Sequence, residues 1–98
     1  MSQVTSKPYI EQIFEKHGTD EKYLIRTFSS QVSEDELVWH KDKSGRKVHI
    51  LSGNGWGLQH DDELPINLKK GGEYYIQRES YHRLIKGHED LVVRMENI

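Results

Sequence analysis

Cysteine is absent from this chain of 98 residues, and proline occurs only twice. Without cysteine there are no disulfides, no thiolate metal ligands and no thiol nucleophile, and the redox compartment stays open. No stretch approaches the roughly 18 apolar residues of a membrane span. The N-terminus, "MSQVTSKPY", has no apolar core of a secretory signal. Positive charge is not in excess either: 14 Lys and Arg stand against 16 Asp and Glu, a formal net charge of -2. That balance is unlike the basic footprint of a nucleic-acid binder. These absences predict a cytoplasmic protein with neither a nucleic acid nor a membrane as partner.

What is present is polar but foldable. The hydrophobic fraction is 34% and the charged fraction 31%, with two Trp, five Tyr and two Phe; so many aromatics argue against disorder. The length predicts one domain, with residues 1–7 as a flexible tail and 8–98 as the folded unit. A domain this small has a thin core. A polar interior feature, an oligomer interface, or both are therefore expected.

Two periodicities divide the chain. In "PYIEQIFEKHG" (8–18), Ile10, Ile13, Phe14 and His17 recur at spacings of three and four, between Pro8 and Gly18. This pattern predicts a short amphipathic N-terminal helix. Beyond Gly18 the period becomes two. Segments 23–30, 36–42, 46–53, 56–61, 73–77, 81–87 and 90–96 are short, rich in β-branched and aromatic residues, and separated by Gly, Asp, Asn or Ser. Seven or eight strands at this spacing predict an all-β antiparallel sandwich or barrel. "SEDE" (33–36) has the form of a capping box but leads into a predicted strand, so it reads as a loop.

The segment "LVWHKDKSGRKVHILSGNGW" (37–56) carries the candidate chemistry. As a hairpin with a three-residue loop at 43–45, it sets Asp42 opposite Arg46. Alternation then places Val38, His40 and Asp42 on one face with Arg46, Val48 and Ile50. Leu37, Trp39, Lys41, Lys47, His49 and Leu51 take the other. Two readings of this face are open: a metal site, or a cross-strand ion pair worth about 0.2–1 kcal/mol between Asp42 and Arg46. Trp56 reads as packing, and Gln59 as a pocket residue if its strand alternates that way. "GNG" (53–55) is a turn, because no helix follows to bind a phosphate.

These residues resemble the cupin superfamily over 36–95. "HKDKSGRKVHILSGNGW" is similar to the first cupin motif, and "LKKGGEYYIQRESYHRLIKG" to the second. Gly53 falls at the motif glycine, Gly71 or Gly72 at the second-motif turn, and His82 at the late histidine. The resemblance implies a small double-stranded β-helix, or jelly-roll barrel, with a metal held by two early histidines, a glutamate and a late histidine. His40 and His82 match that set. Asp42 replaces the second histidine, an acceptable ligand, whereas Arg46 replaces the glutamate and cannot ligate. Gln77 and Glu79 stand where the second motif has Pro and Gly.

The resemblance implies a metal site of His40, Asp42 and His82, a set that suits Fe, Mn, Ni or Zn. Arg46 and Gln59 would bind substrate. The implied function is a metal-dependent dioxygenase or isomerase acting on a small anionic molecule. The alternative is a non-catalytic module holding a small anion or sugar at an empty site. The H-x-D…H pattern also resembles the iron site of 2-oxoglutarate oxygenases, with Arg94 near their cosubstrate base, but 98 residues leave no room for their flanking elements. Surplus apolar surface, including Leu37, Trp39, Tyr81 and Ile85, predicts a homodimer with Trp39 in or beside the interface.

Overall fold

The computed structural model of the chain describes residues 7–98. Eight strands follow one another: β1 (Tyr9–Glu15), β2 (Lys22–Phe28), β3 (Arg46–Ser52), β4 (Gly57–His60), β5 (Ile66–Asn67), β6 (Glu73–Ile76), β7 (His82–Ile85) and β8 (Leu91–Asn97). They form two antiparallel sheets. One has the order β1-β2-β8-β3-β6 and the other β5-β4-β7. The all-β expectation holds. No helix among the described residues is long and apolar enough to cross a membrane. The expected tail, 1–7, lies outside the described residues except for Lys7.

The core forms where the alternating apolar rows of the two sheets meet. Phe28, Val48, Ile50, Leu91, Val93 and Met95 come from the larger sheet, and Leu58 from the smaller one. Trp56, Leu68 and Ile76 belong to the same core, and Ile50, Trp56 and Leu91 are fully buried. The Trp56 ring lies 5.9 Å from that of Phe28, and its indole N–H donates to the Glu89 carbonyl at 2.5 Å. At Gly53, φ is +113°, and a Cβ there would sit 2.7 Å from the Asp90 carbonyl oxygen. Only glycine fits this turn.

Three expectations need correction. Residues 9–15 form a strand rather than a helix, paired residue for residue with β2 from Tyr9↔Phe28 to Glu15↔Lys22. An isolated helix of this length is unstable in water. Seven ladder positions beside β2 satisfy the backbone groups that face it and place the Tyr9 ring 5.3 Å from Phe28. The 3.6-residue spacing of Ile10, Ile13 and Phe14 was therefore coincidental.

Residues 36–42 are not a strand. Ser33 caps a single 3-10 turn, Glu34–Glu36, and the capping box is real: Ser33 Oγ accepts from the Asp35 N–H and Glu36 accepts from the Ser33 N–H. The chain then runs extended, with one isolated bridge at His40. Finally, β3 does not pair with residues 37–42. It pairs with β6 on one side and β8 on the other, so the predicted hairpin does not form. Leu37 is consequently buried and Val38 exposed, the reverse of the expected faces.

Candidate metal centre

Backbone pairing assembles the site. The His40 N–H donates to the His82 carbonyl at 3.0 Å, and the His82 N–H donates to the His40 carbonyl at 2.9 Å. Directly paired residues present their side chains on the same face of a sheet. His82 is also paired with His60 across β4 and β7. Three histidines therefore stand in a row, with His82 ring centroids 4.3 Å from His40 and 6.2 Å from His60. His82 is buried, while His40 is exposed.

Asp42 completes the cluster. Its carbonyl accepts from the Glu79 N–H at 2.8 Å, which fixes the chain two residues beyond the bridge. Asp42 Oδ2 lies 3.5 Å from His82 Nε2 and 3.7 Å from Arg46 Nε. One ligand atom each from His40, Asp42 and His82 falls within 4.8 Å of the others. Asp42 and Arg46 meet through their i,i+4 spacing across the turn and not across a hairpin.

The donor set fits a divalent metal. Both imidazoles engage backbone carbonyls through Nδ1, His40 with Val38 at 3.0 Å and His82 with Ser80 at 2.9 Å. A carbonyl only accepts, so each Nδ1 carries the proton and each Nε2 offers a lone pair. This is the outer-sphere arrangement that orients ligating histidines. Ligand atoms about 2.0–2.2 Å from a shared ion stand roughly 3–3.5 Å apart, close to the Asp42–His82 separation. Arg46 competes for the same carboxylate, yet at 3.7 Å it makes no tight bidentate pair. Its Nε and Nη1 are buried without a hydrogen-bond partner among the described residues.

Burial lowers the pKa of His82 below its usual value, and the neighbouring His40 and His60 act in the same direction. The Ser80 carbonyl and the Asp42 carboxylate oppose them. The imidazole is thus neutral and ready to ligate near pH 7. Because the folded value is depressed, the unfolded chain takes up the proton first. Stability from this group is complete above about pH 6.5 and is lost as pH falls towards the folded value. Urea midpoints of metal-free protein are expected to decline below about pH 6.5, and His82→Asn should flatten that decline.

The triad opens into a cavity of about 280 Å³ between the sheets. Its walls are mostly apolar, including Phe28, Val48, Leu58, Ile76, Val93 and Met95. Lys7, Arg26 and Glu36 supply most of the remaining charge. Arg46 does not line this cavity; it contacts the triad only through Asp42. Gln59 is paired with Arg83 on the face opposite His60 and His82. Its amide is engaged by the Glu63 carbonyl at 3.0 Å and by Arg83 at 2.9 Å. The strand alternates with His60, rather than Gln59, facing inward, so Gln59 is not a pocket residue. Arg94 also faces away from the interior, with its guanidinium 4.0 Å from the Tyr23 ring centroid.

No family model matches the sequence, and no curated protein matches it. Solved structures do. A cupin domain from Bordetella pertussis aligns over 98% of this chain and 99% of its own, at 15% identity and a TM-score of 0.63. A cupin-2 domain protein from Shewanella frigidimarina aligns over 96% and 85%, at 15% identity and a TM-score of 0.70. The fold is that of a small cupin. A Ralstonia eutropha protein provisionally named a mannose-6-phosphate isomerase shares the cupin fold over 97% of this chain and 88% of its own, with 18% identity and a TM-score of 0.69.

Within this cupin fold, several site residues escaped the sequence reading. His60 belongs to no motif, although it lies two residues from buried Leu58 and so shares its inward face. Tyr9 and Arg26 were missed as cavity walls because residues 8–18 were read as a helix. Their pairing is local: Arg26 Nε donates to Glu11 at 2.6 Å, and its guanidinium lies 4.1 Å from the Tyr9 ring centroid.

Proposed function

We propose that this cupin-fold chain holds one divalent metal through His40, Asp42 and His82 and uses it to transform a small molecule seated in the apolar cavity. The observation that carries this reading is the pair of Nδ1 contacts to the Val38 and Ser80 carbonyls, which leaves both Nε2 atoms available beside the Asp42 carboxylate. A bound divalent ion would supply Lewis acidity or oxygen activation. Two imidazoles and one carboxylate suit Fe(II), with Mn, Ni and Zn also accommodated.

The chain's own groups perform the remaining tasks. The apolar walls exclude water and favour a substrate whose body is apolar. Lys7 and Arg26 are the cationic groups bordering the cavity, so an anionic substrate group is received there and not at Arg46. The Glu11–Arg26 pair and the Tyr9 ring hold that wall in place. Arg46 stays behind Asp42 as its cationic neighbour, 3.7 Å from the carboxylate. Dioxygenase and isomerase chemistry both suit this arrangement. A sugar suits it less, because the lining offers few partners for hydroxyl groups.

Oxygen uptake separates the two chemistries. Fe(II)-loaded protein is screened against small hydroxy acids, diketones and thiols with apolar bodies, with and without oxygen. Uptake tied to substrate loss identifies an oxygenase, and substrate rearrangement without uptake identifies an isomerase. Either signal is expected to vanish in Asp42→Ala. A signal that survives in that variant contradicts the assignment.

A further inference from the structure

We propose that the small molecule is a monocarboxylate with an apolar body, and that Arg26 is the specificity-determining residue that holds its carboxylate. This deepens the reading of the cavity as the substrate site and rests on it. Arg26 stands in an unusual place for a cation. It pairs with Glu11 of β1 on one side and with Val93 of β8 on the other, and Val93 pairs in turn with Ile50 of β3. Directly paired residues present their side chains on the same face of a sheet. Val93 and Ile50 belong to the core, so Glu11 and Arg26 continue a core row across the inward face. A charge placed there loses hydration and needs partners.

The guanidinium is only partly engaged. Its Nε donates to Glu11 at 2.6 Å, and the Tyr9 ring centroid lies 4.1 Å from its carbon. The Arg26 side chain is 15% exposed. Among the described residues, the bond to Glu11 is the one hydrogen bond it makes. The end of the fork, Nη1 and Nη2, is therefore available, and Arg26 lines the cavity into which the triad opens. Lys7, the other cation of that lining, is exposed.

Geometry and charge narrow the ligand. Two parallel N–H groups in one plane match the two oxygens of a carboxylate. Glu11 occupies the neighbouring edge of the same guanidinium, and Glu36 also lines the cavity. These two carboxylates offset Lys7 and Arg26, which leaves no surplus positive charge for a doubly charged group. A phosphate monoester carries about −1.5 to −2 near pH 7 and meets Glu11 as a like charge. The apolar walls, among them Phe28, Leu58 and Met95, receive the rest of the molecule. Arg26 rises from the larger sheet and His82 from the smaller. A ligand anchored at Arg26 thus extends its apolar body across the gap between the sheets, towards the triad.

Chelator-stripped protein provides the test, because no metal then competes for the carboxylate. Butanoate, hexanoate, octanoate, hexanol and hexyl phosphate are titrated by calorimetry and by chemical-shift changes of labelled protein. At least one of the three carboxylates is expected to bind, with hexanoate about tenfold or more tighter than hexanol and also tighter than hexyl phosphate. Arg26→Gln should abolish the lead over hexanol while leaving hexanol binding unchanged. Arg26→Lys keeps the charge without the fork. It should weaken hexanoate and narrow its lead over hexyl phosphate, and it carries the test if Arg26→Gln fails to fold. Three results overturn the proposal: no binding of any carboxylate, hexyl phosphate bound as tightly as hexanoate, or a carboxylate preference that survives loss of the fork. Since the titrations are metal-free, a failure here leaves the metal assignment standing, and a failure of metal retention leaves this result standing.

Discussion

His82→Ala is expected to abolish stoichiometric metal binding. Loss of an outer partner to a ligand typically costs about 10–100-fold in metal affinity, and loss of a ligand costs more. His82 is the centre of the cluster: it pairs with His40 on one side and His60 on the other, and it lies 3.5 Å from Asp42. Without it, His40 and Asp42 remain as two ligands on an irregular segment held to β7 by a single bridge. Calorimetric titration with Zn(II) or Mn(II) is the measurement. Arg46→Met is the informative companion. Removing the guanidinium frees Asp42 from its cationic neighbour, so affinity should rise or hold steady, and any fall would show that Arg46 is needed to position the carboxylate.

Trp56→Ala is expected to produce the largest loss of stability, about 3–5 kcal/mol as for other large aromatic truncations in cores. Trp56 is fully buried against Phe28. Its indole also donates to the Glu89 carbonyl, which ties the turn before β4 to the turn before β8. Truncation leaves a void and an orphaned carbonyl together. For a domain of this size, a loss of about 3 kcal/mol lowers Tm by well over 10 °C. Urea unfolding of the variant at pH 7.5 checks the value, and Trp56→Phe should recover the packing but not the hydrogen bond.

Much of this architecture was legible because β-structure writes its faces in a period of two. Arg46, Val48 and Ile50 share an inward face as the alternation predicted, although their strand neighbours are β6 and β8. His82 was found through the resemblance of its segment to the second cupin motif, and the structure joins it to His40 by direct backbone pairing. What failed were inferences that needed the partner strand. Ile10, Ile13 and Phe14 fit a helical stripe as well as a strand, and only the ladder with β2 decides between them. The sequence of Leu37, Val38 and Trp39 favours a strand locally, yet β8 takes the place beside β3. Gln59 and His60 differ by one residue, and a one-residue change of register exchanges the two faces. Long-range pairing sets that register, and no local signal encodes it.

The metal content of the unmodified protein tests the central claim most directly. The protein is stripped with chelator, incubated separately with Fe(II) under nitrogen, Mn(II), Ni(II) and Zn(II), desalted, and subjected to elemental analysis alongside Asp42→Ala. About one equivalent of at least one metal per chain is expected in the unmodified protein, and a marked loss in Asp42→Ala. Absence of stoichiometric metal in every incubation, or equal retention by Asp42→Ala, would contradict the assignment and leave Asp42 as the counter-ion of Arg46.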